Sequence, residues 1–121
     1  MSISRIVEIS LSRAKRWHKG GIEEWSALEW AGATCGEAGE AANAAKKLKL
    51  LEDGIASVNE GERNLEDIKS AQRVVAHEAI DTILYAFLLC NRVGLFGDDV
   101  EELLVDVFNQ KSQEYGFPER I

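Results

Sequence analysis

The sequence predicts an all-α fold, and three features of the chain indicate it. Apolar residues recur at helical spacing along most of the 121 residues. One proline and ten glycines are too few for a turn-rich β-sandwich, and no stretch alternates apolar and polar residues over the length of a strand. Hydrophobic residues make up 45% of the chain and charged residues 29%, which is ordinary for a globular domain. A single domain, residues 1–121, is therefore expected.

Four helical segments follow one another along the chain and predict a four-helix bundle. They are expected over residues 3–17, about 24–51, about 69–93 and about 98–115. Trp17 continues the apolar face of the first helix and is expected in the core. Gly54 lies where the second helix needs a C-terminal cap, and Asp98 with Glu101 resembles a capping pair for the fourth. Residues 52–68 interrupt the helices as a polar, acidic loop insertion with room for one short helix.

The formal charge of −7 is unevenly distributed, and it limits the partners of the protein. The insertion 52–68 contributes −5, whereas residues 1–20 carry +4. A nucleic-acid binder needs a basic face for the phosphates, so binding of DNA or RNA is not expected. The longest uncharged apolar run, residues 83–90, is too short to span a bilayer, and no signal-peptide pattern begins the chain. A cytoplasmic protein without membrane contact is the resulting expectation.

Two carboxylates in the third predicted helix are the most informative feature of the sequence. Glu78 and Asp81 lie in the middle of VVAHEAIDTILYAFLLC, residues 74–90, whose apolarity predicts a helix buried on most sides. Their spacing of three residues places both side chains on one helix face. An ionised carboxylate is costly to bury unless it is paired or bound to a metal. Because the nearest arginines lie at the ends of this segment, another group must neutralise the pair.

The second helix supplies a matching pair of acids, Glu37 and Glu40, among glycines and alanines. Gly32, Gly36 and Gly39 each cost roughly 1 kcal/mol relative to alanine, which indicates that a helix or a ligand approaches this backbone. Four converging acids would raise one another's pKa values. A hard divalent cation resolves this conflict, and oxygen ligands favour Mg²⁺, Mn²⁺ or Ca²⁺.

Other interpretations of acidic pairs at this spacing remain open. The same spacing occurs at the start of the fourth helix, where the helix dipole explains it without a metal. A di-iron bundle needs Glu-x-x-His on each of two helices, and neither His18 nor His77 completes such a motif. His77, four residues before Asp81, is expected as a polar residue at the rim of the site, with support of a metal ligand as the alternative.

Three segments resemble the MazG-like all-α nucleoside triphosphate pyrophosphohydrolases, a superfamily that includes dimeric dUTPases, dCTP pyrophosphatases and phosphoribosyl-ATP pyrophosphatase. The segments are EWAGATCGEAGEAANAAKK, HEAIDTILYAFLLC and VFNQKSQEYGFPERI. The superfamily signature is Glu-x-x-Glu followed by Glu-x-x-Asp on two helices, and it is matched by Glu37, Glu40, Glu78 and Asp81. The similarity runs from about residue 24 to the C-terminus, except for the insertion 52–68, which is longer than in most relatives.

The resemblance implies an enzyme that depends on Mg²⁺, with Mn²⁺ as a substitute. It would cleave a (d)NTP between the α and β phosphates, which yields a (d)NMP and pyrophosphate. By analogy, the four acids would hold the metal, and either Glu37 or Glu40 would take the proton of the attacking water.

The resemblance also implies residues that bind the substrate. Tyr85 and Asn109 match superfamily positions near the nucleotide, and Lys111 and Lys47 would suit phosphate oxygens. A core tyrosine, a surface amide and solvated lysines are the alternatives. Some dCTP-preferring relatives have tryptophan where this chain has Lys47, so their base preference is not carried over.

Two alternative functions share this fold. One is a nucleotide-sensing or nucleotide-binding module without turnover, and the other is a pyrophosphatase restricted to phosphoribosyl-ATP or dUTP. A purely structural helical oligomer would leave Glu78 and Asp81 unexplained. Relatives form dimers or dimers of dimers, and one small-residue helix covers little of an apolar neighbour, so a homodimer or homotetramer is expected.

Overall fold

A computed structural model of the chain describes residues 1–55 and 64–121, and it confirms the all-α prediction. Helices occupy 81% of these residues, and none of the described residues forms a strand. The α-helices of the described ranges are α1 (Ile3–Trp17), α2 (Ala27–Glu52), α3 (Leu65–Arg92) and α4 (Gly97–Tyr115). A short 3-10 helix, Ile22–Glu24, precedes α2.

The ends of α2 and α3 on either side of the acidic insertion have clear local causes. Gly54 has a φ of 73° and follows the last turn of α2, as expected for a C-terminal cap. Its N–H donates to the carbonyl of Leu51 over 3.1 Å. Asn64 Oδ1 accepts hydrogen bonds from the backbone N–H groups of Glu66 and Asp67, so α3 begins inside the segment predicted as a loop. Residues 56–63 of the insertion, for which the sequence predicts room for one short helix within 52–68, lie outside the described residues.

The described chain divides into two compact units, and the first contains Met1–Ala27 and Phe87–Ile121. In this unit α1 packs against α4. Ser4 Oγ donates to Asp98 Oδ1 over 2.7 Å, and the Ser4 N–H donates to Glu101 Oε2 over 3.1 Å. The prediction that Asp98 and Glu101 cap their own helix is wrong, because Phe96 is the N-cap and makes no side-chain cap bond. Glu101 instead accepts from a backbone N–H in the first turn of α1, and Asp98 accepts from the hydroxyl of the buried Ser4.

Trp17 is not a core residue, although the apolar pattern of α1 predicts it. Its side chain is 62% exposed, and the Arg13 guanidinium lies 5.4 Å from the centre of its ring. The buried stripe of α1 ends at Ala14, one turn before the helix ends. A cation over the indole face stabilises this ring at the surface. The prediction from the helical period that Trp17 lies in the core is therefore wrong.

The second unit, Leu28–Ala86, consists of most of α2 and the larger part of α3. Trp30 on α2 is 1% exposed, and its ring lies 6.3 Å from that of Tyr85 on α3. One neighbouring helix covers only one face of another. The exposed faces of α2 and α3 in this unit follow from that geometry.

The expectation that α3 is buried on most sides is not met within one chain. By length and composition α3 is the one helix in the described ranges that is apolar enough to cross a membrane. Only 17% of its most apolar stretch is buried, and Val74, Ile80 and Ile83 are exposed. In the second unit α2 is the only α-helix beside it, and its alanines and glycines cannot cover a helix of 28 residues.

Candidate metal centre

The two acidic pairs predicted from the sequence lie beside each other in the second unit. One carboxylate oxygen from each of Glu37, Glu40 and Glu78 can be chosen so that all three lie within 4.8 Å of one another. Glu78 and Asp81 share a second group of this kind with His77. Within each pair, residues three apart lie on one helix face. Glu78 belongs to both groups, so Glu37, Glu40, Glu78 and Asp81 are treated as one cluster, the acidic cluster.

The pKa values of Glu37 and Glu78 are raised because each carboxylate is partly desolvated and close to other negative charges. Burial raises the pKa of Glu37, and the negative charges of Glu40, Asp81 and Glu78 raise it further, in that order. Burial also raises the pKa of Glu78, with Glu40 and Asp81 adding to the effect while His77 opposes it. Each shift reports a carboxylate that loses hydration and meets like charges. All four acids are therefore electrostatically linked.

Glu78 provides the observation that points most directly to a ligand. Its Oε2 atom is buried and has no hydrogen-bond partner among the described residues. A buried carboxylate oxygen without a partner is costly unless a cation binds it or the carboxyl takes up a proton, and the raised pKa of Glu78 favours that proton when no cation is bound. In an octahedral Mg²⁺ site, oxygens 2.1 Å from the ion lie about 3 to 4.2 Å apart, close to the spread of this cluster. The donor set consists of carboxylate oxygens, so these residues fit a hard divalent cation.

A cleft of about 430 Å³ opens beside the acidic cluster. Glu40 and Glu78 line one part of it, and Lys47 lines another. Asn43, which the sequence analysis missed, also lines this cleft. Glu40, Asn43 and Lys47 follow helical spacing among alanines, a polar stripe that could have identified Asn43. The cleft is large enough for a small ligand and is lined by a cation, Lys47, as well as by two of the acids.

The other predicted substrate residues have local partners. Tyr85 is half-buried on α3 and lies beside Trp30. On α4, Asn109 Oδ1 accepts a hydrogen bond from the Ile121 N–H over 2.9 Å, and Asn109 Nδ2 donates to the Ile121 carbonyl over 3.3 Å. Lys111 Nζ lies 3.3 Å from Glu114 Oε2. The second unit thus joins Lys47 and the four acids around one cleft and one cluster, whereas Asn109 and Lys111 are engaged within the first unit.

Comparison of this chain with protein-family models, with curated proteins and with solved structures finds no match. The residues of the acidic cluster and of the cleft beside it are therefore what indicates a function for this chain.

Proposed function

We propose that the protein is a Mg²⁺-dependent nucleoside triphosphate pyrophosphohydrolase, built as an all-α bundle of the NTP pyrophosphatase type. It would convert a (d)NTP to a (d)NMP and pyrophosphate. The observation that carries the proposal is the acidic cluster, in which the buried Oε2 of Glu78 lacks a partner among the described residues. The cleft lined by Glu40, Glu78 and Lys47 supports a phosphorylated ligand at the same place.

The residues of the cluster and of the cleft would bind the metal ion and the phosphates of the substrate. Glu37, Glu40, Glu78 and Asp81 would hold Mg²⁺, with Mn²⁺ as a substitute. When bound, the cation would neutralise phosphate charge and lower the pKa of a coordinated water. Lys47 would meet the oxygens of the polyphosphate that extends along the cleft.

Proton transfer in this proposal falls to the helix α2 acids. The oxygen of water would attack the α phosphorus, and the bond from that phosphorus to the bridging oxygen would break, so that pyrophosphate leaves. Glu37 would accept the proton released by the water, with Glu40 as the other candidate. The raised pKa of Glu37 favours this role, because a general base works best when its pKa approaches the working pH.

The test measures pyrophosphate release from a panel of NTPs and dNTPs, dUTP and phosphoribosyl-ATP included, with Mg²⁺, Mn²⁺ or EDTA. We expect turnover with either metal and none in EDTA. Glu37→Gln and Asp81→Asn should each reduce turnover at least 100-fold, by analogy with the loss of a group that acts in the transition state (on the order of 10²–10⁴). The matched control is Asp106→Asn, which removes an exposed carboxylate on α4 and should retain activity.

Three outcomes of this panel would revise the proposal. Absence of turnover with every nucleotide would refute an enzyme, and nucleotide binding measured in the same samples would then favour the sensing module. Turnover of dUTP or phosphoribosyl-ATP alone would identify the restricted pyrophosphatase. Full activity in Glu37→Gln would overturn the site assignment while leaving the reaction in place.

We also propose that the protein is a homodimer or homotetramer whose copies meet through helices. Ile80 is 55% exposed on α3, and Val74 and Ile83 share this apolar exposure. An added Cβ at Gly32 or Gly36 of α2 would meet no atom within 4 Å in the described chain, so the neighbour expected from the sequence is not supplied by the same copy. Exposed apolar surface of this extent on a small protein marks an interaction site.

Light scattering on the purified protein tests this assembly. Ile80→Glu should shift the mass toward that of one chain, because a second copy would have to bury the new carboxylate. Ile9→Glu changes an exposed isoleucine on α1 in the same way and should leave the mass unchanged. A monomeric mass for the unmodified protein would refute the assembly.

A further inference from the structure

One face of α3 is apolar and exposed, and it carries a charge near each end. A surface groove of about 410 Å³ runs along this face and is lined by residues of α3 alone. We call the six residues that line the groove the outer face of α3: Arg73, Ala76, His77, Ile80, Asp81 and Leu84. Ile80 is 55% exposed, although an isoleucine in the middle of a helix is usually buried. Another molecule is therefore expected to cover this face.

The two charges of the outer face belong to Arg73 and Asp81. Arg73 makes no ion pair with any residue in the described ranges 1–55 and 64–121. Asp81 Oδ2 lies 3.5 Å from His77 Nδ1, and Asp81 is one of the crowded acids of the acidic cluster. Eight residues separate Arg73 from Asp81, which is about 12 Å along a helix axis and too far for an ion pair within α3. A cation without an ion pair and an anion among like charges thus share one face.

The order of residues on the outer face is self-complementary when two copies of α3 pack antiparallel about a twofold axis at His77. Arg73 and Asp81 each lie four residues from His77, so Arg73 of either copy meets the partner's Asp81. Val74 and Ile80, both exposed, each lie three residues from His77 and meet in the same way. A parallel arrangement would instead set arginine against arginine and aspartate against aspartate, which is unfavourable.

We infer that the outer face of α3 binds the same face of a second copy in antiparallel orientation, and that each copy thereby supplies Arg73 to Asp81 in the acidic cluster of the other. The inference rests on the homodimer or homotetramer proposed above. It specifies the helix, its direction and the residue that crosses between the copies. Because such an interface is isologous, each contact between the copies occurs twice.

A second copy fits this face better than a membrane or an unrelated apolar helix does. A lipid bilayer would cover Ile80 but would leave the charges of Arg73 and Asp81 without partners in hydrocarbon. An apolar helix of another protein would bury the same two charges unpaired, which is costly. The second copy supplies both the apolar cover and the opposite charge at each end.

Arg73 of the second copy would act on the acidic cluster through Asp81. Its guanidinium can donate to one carboxylate oxygen of Asp81, while the other oxygen stays available to a metal ion. A positive charge at this place offsets part of the repulsion that raises the pKa values of Glu37 and Glu78, to which Asp81 contributes. The two acids of α3, whose nearest arginines lie at the ends of its apolar segment, would thereby gain a cation at close range.

Charge exchange tests the contact, with every measurement made in EDTA so that metal binding at Asp81 does not contribute. Sedimentation equilibrium gives the dimer dissociation constant of the natural protein, of Arg73→Asp, of Asp81→Arg and of the variant with both changes. Each single change should raise this constant at least about tenfold, because it sets like charges together at two contacts. The double variant restores opposite charges and should return to within about threefold of the natural value. Arg16→Asp, which changes an exposed arginine on α1, is the matched control and should leave the constant unchanged.

A mixture of the two single variants is a more specific test of the same contact. The chain with Arg73→Asp carries aspartate at both positions, and the chain with Asp81→Arg carries arginine at both. Each chain repels its own kind, whereas a mixed dimer has opposite charges at both contacts. Native mass spectrometry should therefore detect mixed dimers at concentrations where neither variant pairs alone.

Cysteine crosslinking tests the direction of the helices, in a background of Cys35→Ser and Cys90→Ala. His77→Cys should form a disulfide between copies, because position 77 lies at the twofold axis. Leu84→Cys should form none, since the two antiparallel copies of position 84 lie about 21 Å apart along the helix axes. Crosslinking at both positions would indicate parallel helices and would overturn the inference.

Two further results would contradict the inference in different ways. A natural dimer whose dissociation constant is unchanged in Arg73→Asp and in Asp81→Arg would exclude this contact and leave the proposed assembly in place. A monomeric natural protein would refute the assembly itself. Because these measurements use neither Mg²⁺ nor a nucleotide, a failure of the pyrophosphohydrolase proposal is distinguishable from both. Far-UV circular dichroism of each variant verifies that the helices are intact.

Discussion

Replacing Glu37 with glutamine should stabilise the metal-free protein and abolish its response to Mg²⁺. Glu37 and Glu40 have carboxylate oxygens within 4.8 Å of each other. Two unit charges at that separation repel by about 0.9 kcal/mol in a water-like dielectric. Salt at 0.15 M, with a Debye length of about 8 Å, reduces this by roughly half. Removing the charge should therefore raise the melting temperature in EDTA by about 2 to 4 °C.

Mg²⁺ should stabilise the natural protein and have little effect on the stability of Glu37→Gln. A ligand present at ten times its dissociation constant stabilises the folded natural protein by about 1.4 kcal/mol, and Glu37→Gln loses most of this gain. Thermal unfolding followed by circular dichroism, with EDTA or with Mg²⁺, measures both effects. Asp106→Asn, which removes an exposed carboxylate on α4, should change neither.

Two results would refute this reasoning in different places. A lower melting temperature for Glu37→Gln in EDTA would mean that the carboxylate stabilises the fold, and the explanation of its raised pKa by burial and like charge would be wrong. A full Mg²⁺ response in Glu37→Gln would remove this residue from the ligand set.

The remaining predictions concern pH, the contact of α1 with α4, and a helix end. In EDTA, the free energy of unfolding should fall as pH rises above about 4.5. The reason is that the raised pKa values of Glu37 and Glu78 favour the folded state only while these acids are protonated. Mg²⁺ should flatten this pH dependence, which denaturant titrations between pH 4.5 and 7.5 would measure. Ser4→Ala removes the donor to Asp98 and should cost about 1 to 2 kcal/mol in urea unfolding, against under about 0.5 kcal/mol for exposed Ser12→Ala; equal losses would contradict the assigned contact. Gly116→Ala should cost about 1 to 2 kcal/mol, because its φ of 71° strains an alanine although no atom of the described chain crowds the site; an unchanged unfolding midpoint would contradict this.

The acidic cluster could be anticipated from the sequence because both of its components are local. A spacing of three residues puts Glu37 with Glu40, and Glu78 with Asp81, whatever else the chain does. The apolar surroundings of Glu78 then indicated that this pair needs a partner. That the two pairs converge is also an expectation from the sequence, and the packing of α2 beside α3 supplies the distance between their oxygens.

Other features could not be predicted from the sequence, because the residues that contact each other are far apart along the chain. Asp98 and Glu101 have the spacing of a helix cap, but Ser4, more than ninety residues earlier, is their hydrogen-bond partner. Asn43 is an ordinary helix residue until the cleft beside Glu40 becomes visible. Trp17 continues an apolar pattern and still lies at the surface, because a helical period states which face a residue occupies and not where the neighbouring helix stops.

The sequence by itself determined the helices, most of their ends and the two acidic pairs, since each depends on interactions within a few residues. Tertiary structure decided which carboxylate oxygens converge, which of them lacks a partner, and which apolar faces stay exposed. These properties depend on the separation of atoms from different turns and different helices, and burial, like charge and metal binding all follow from that separation.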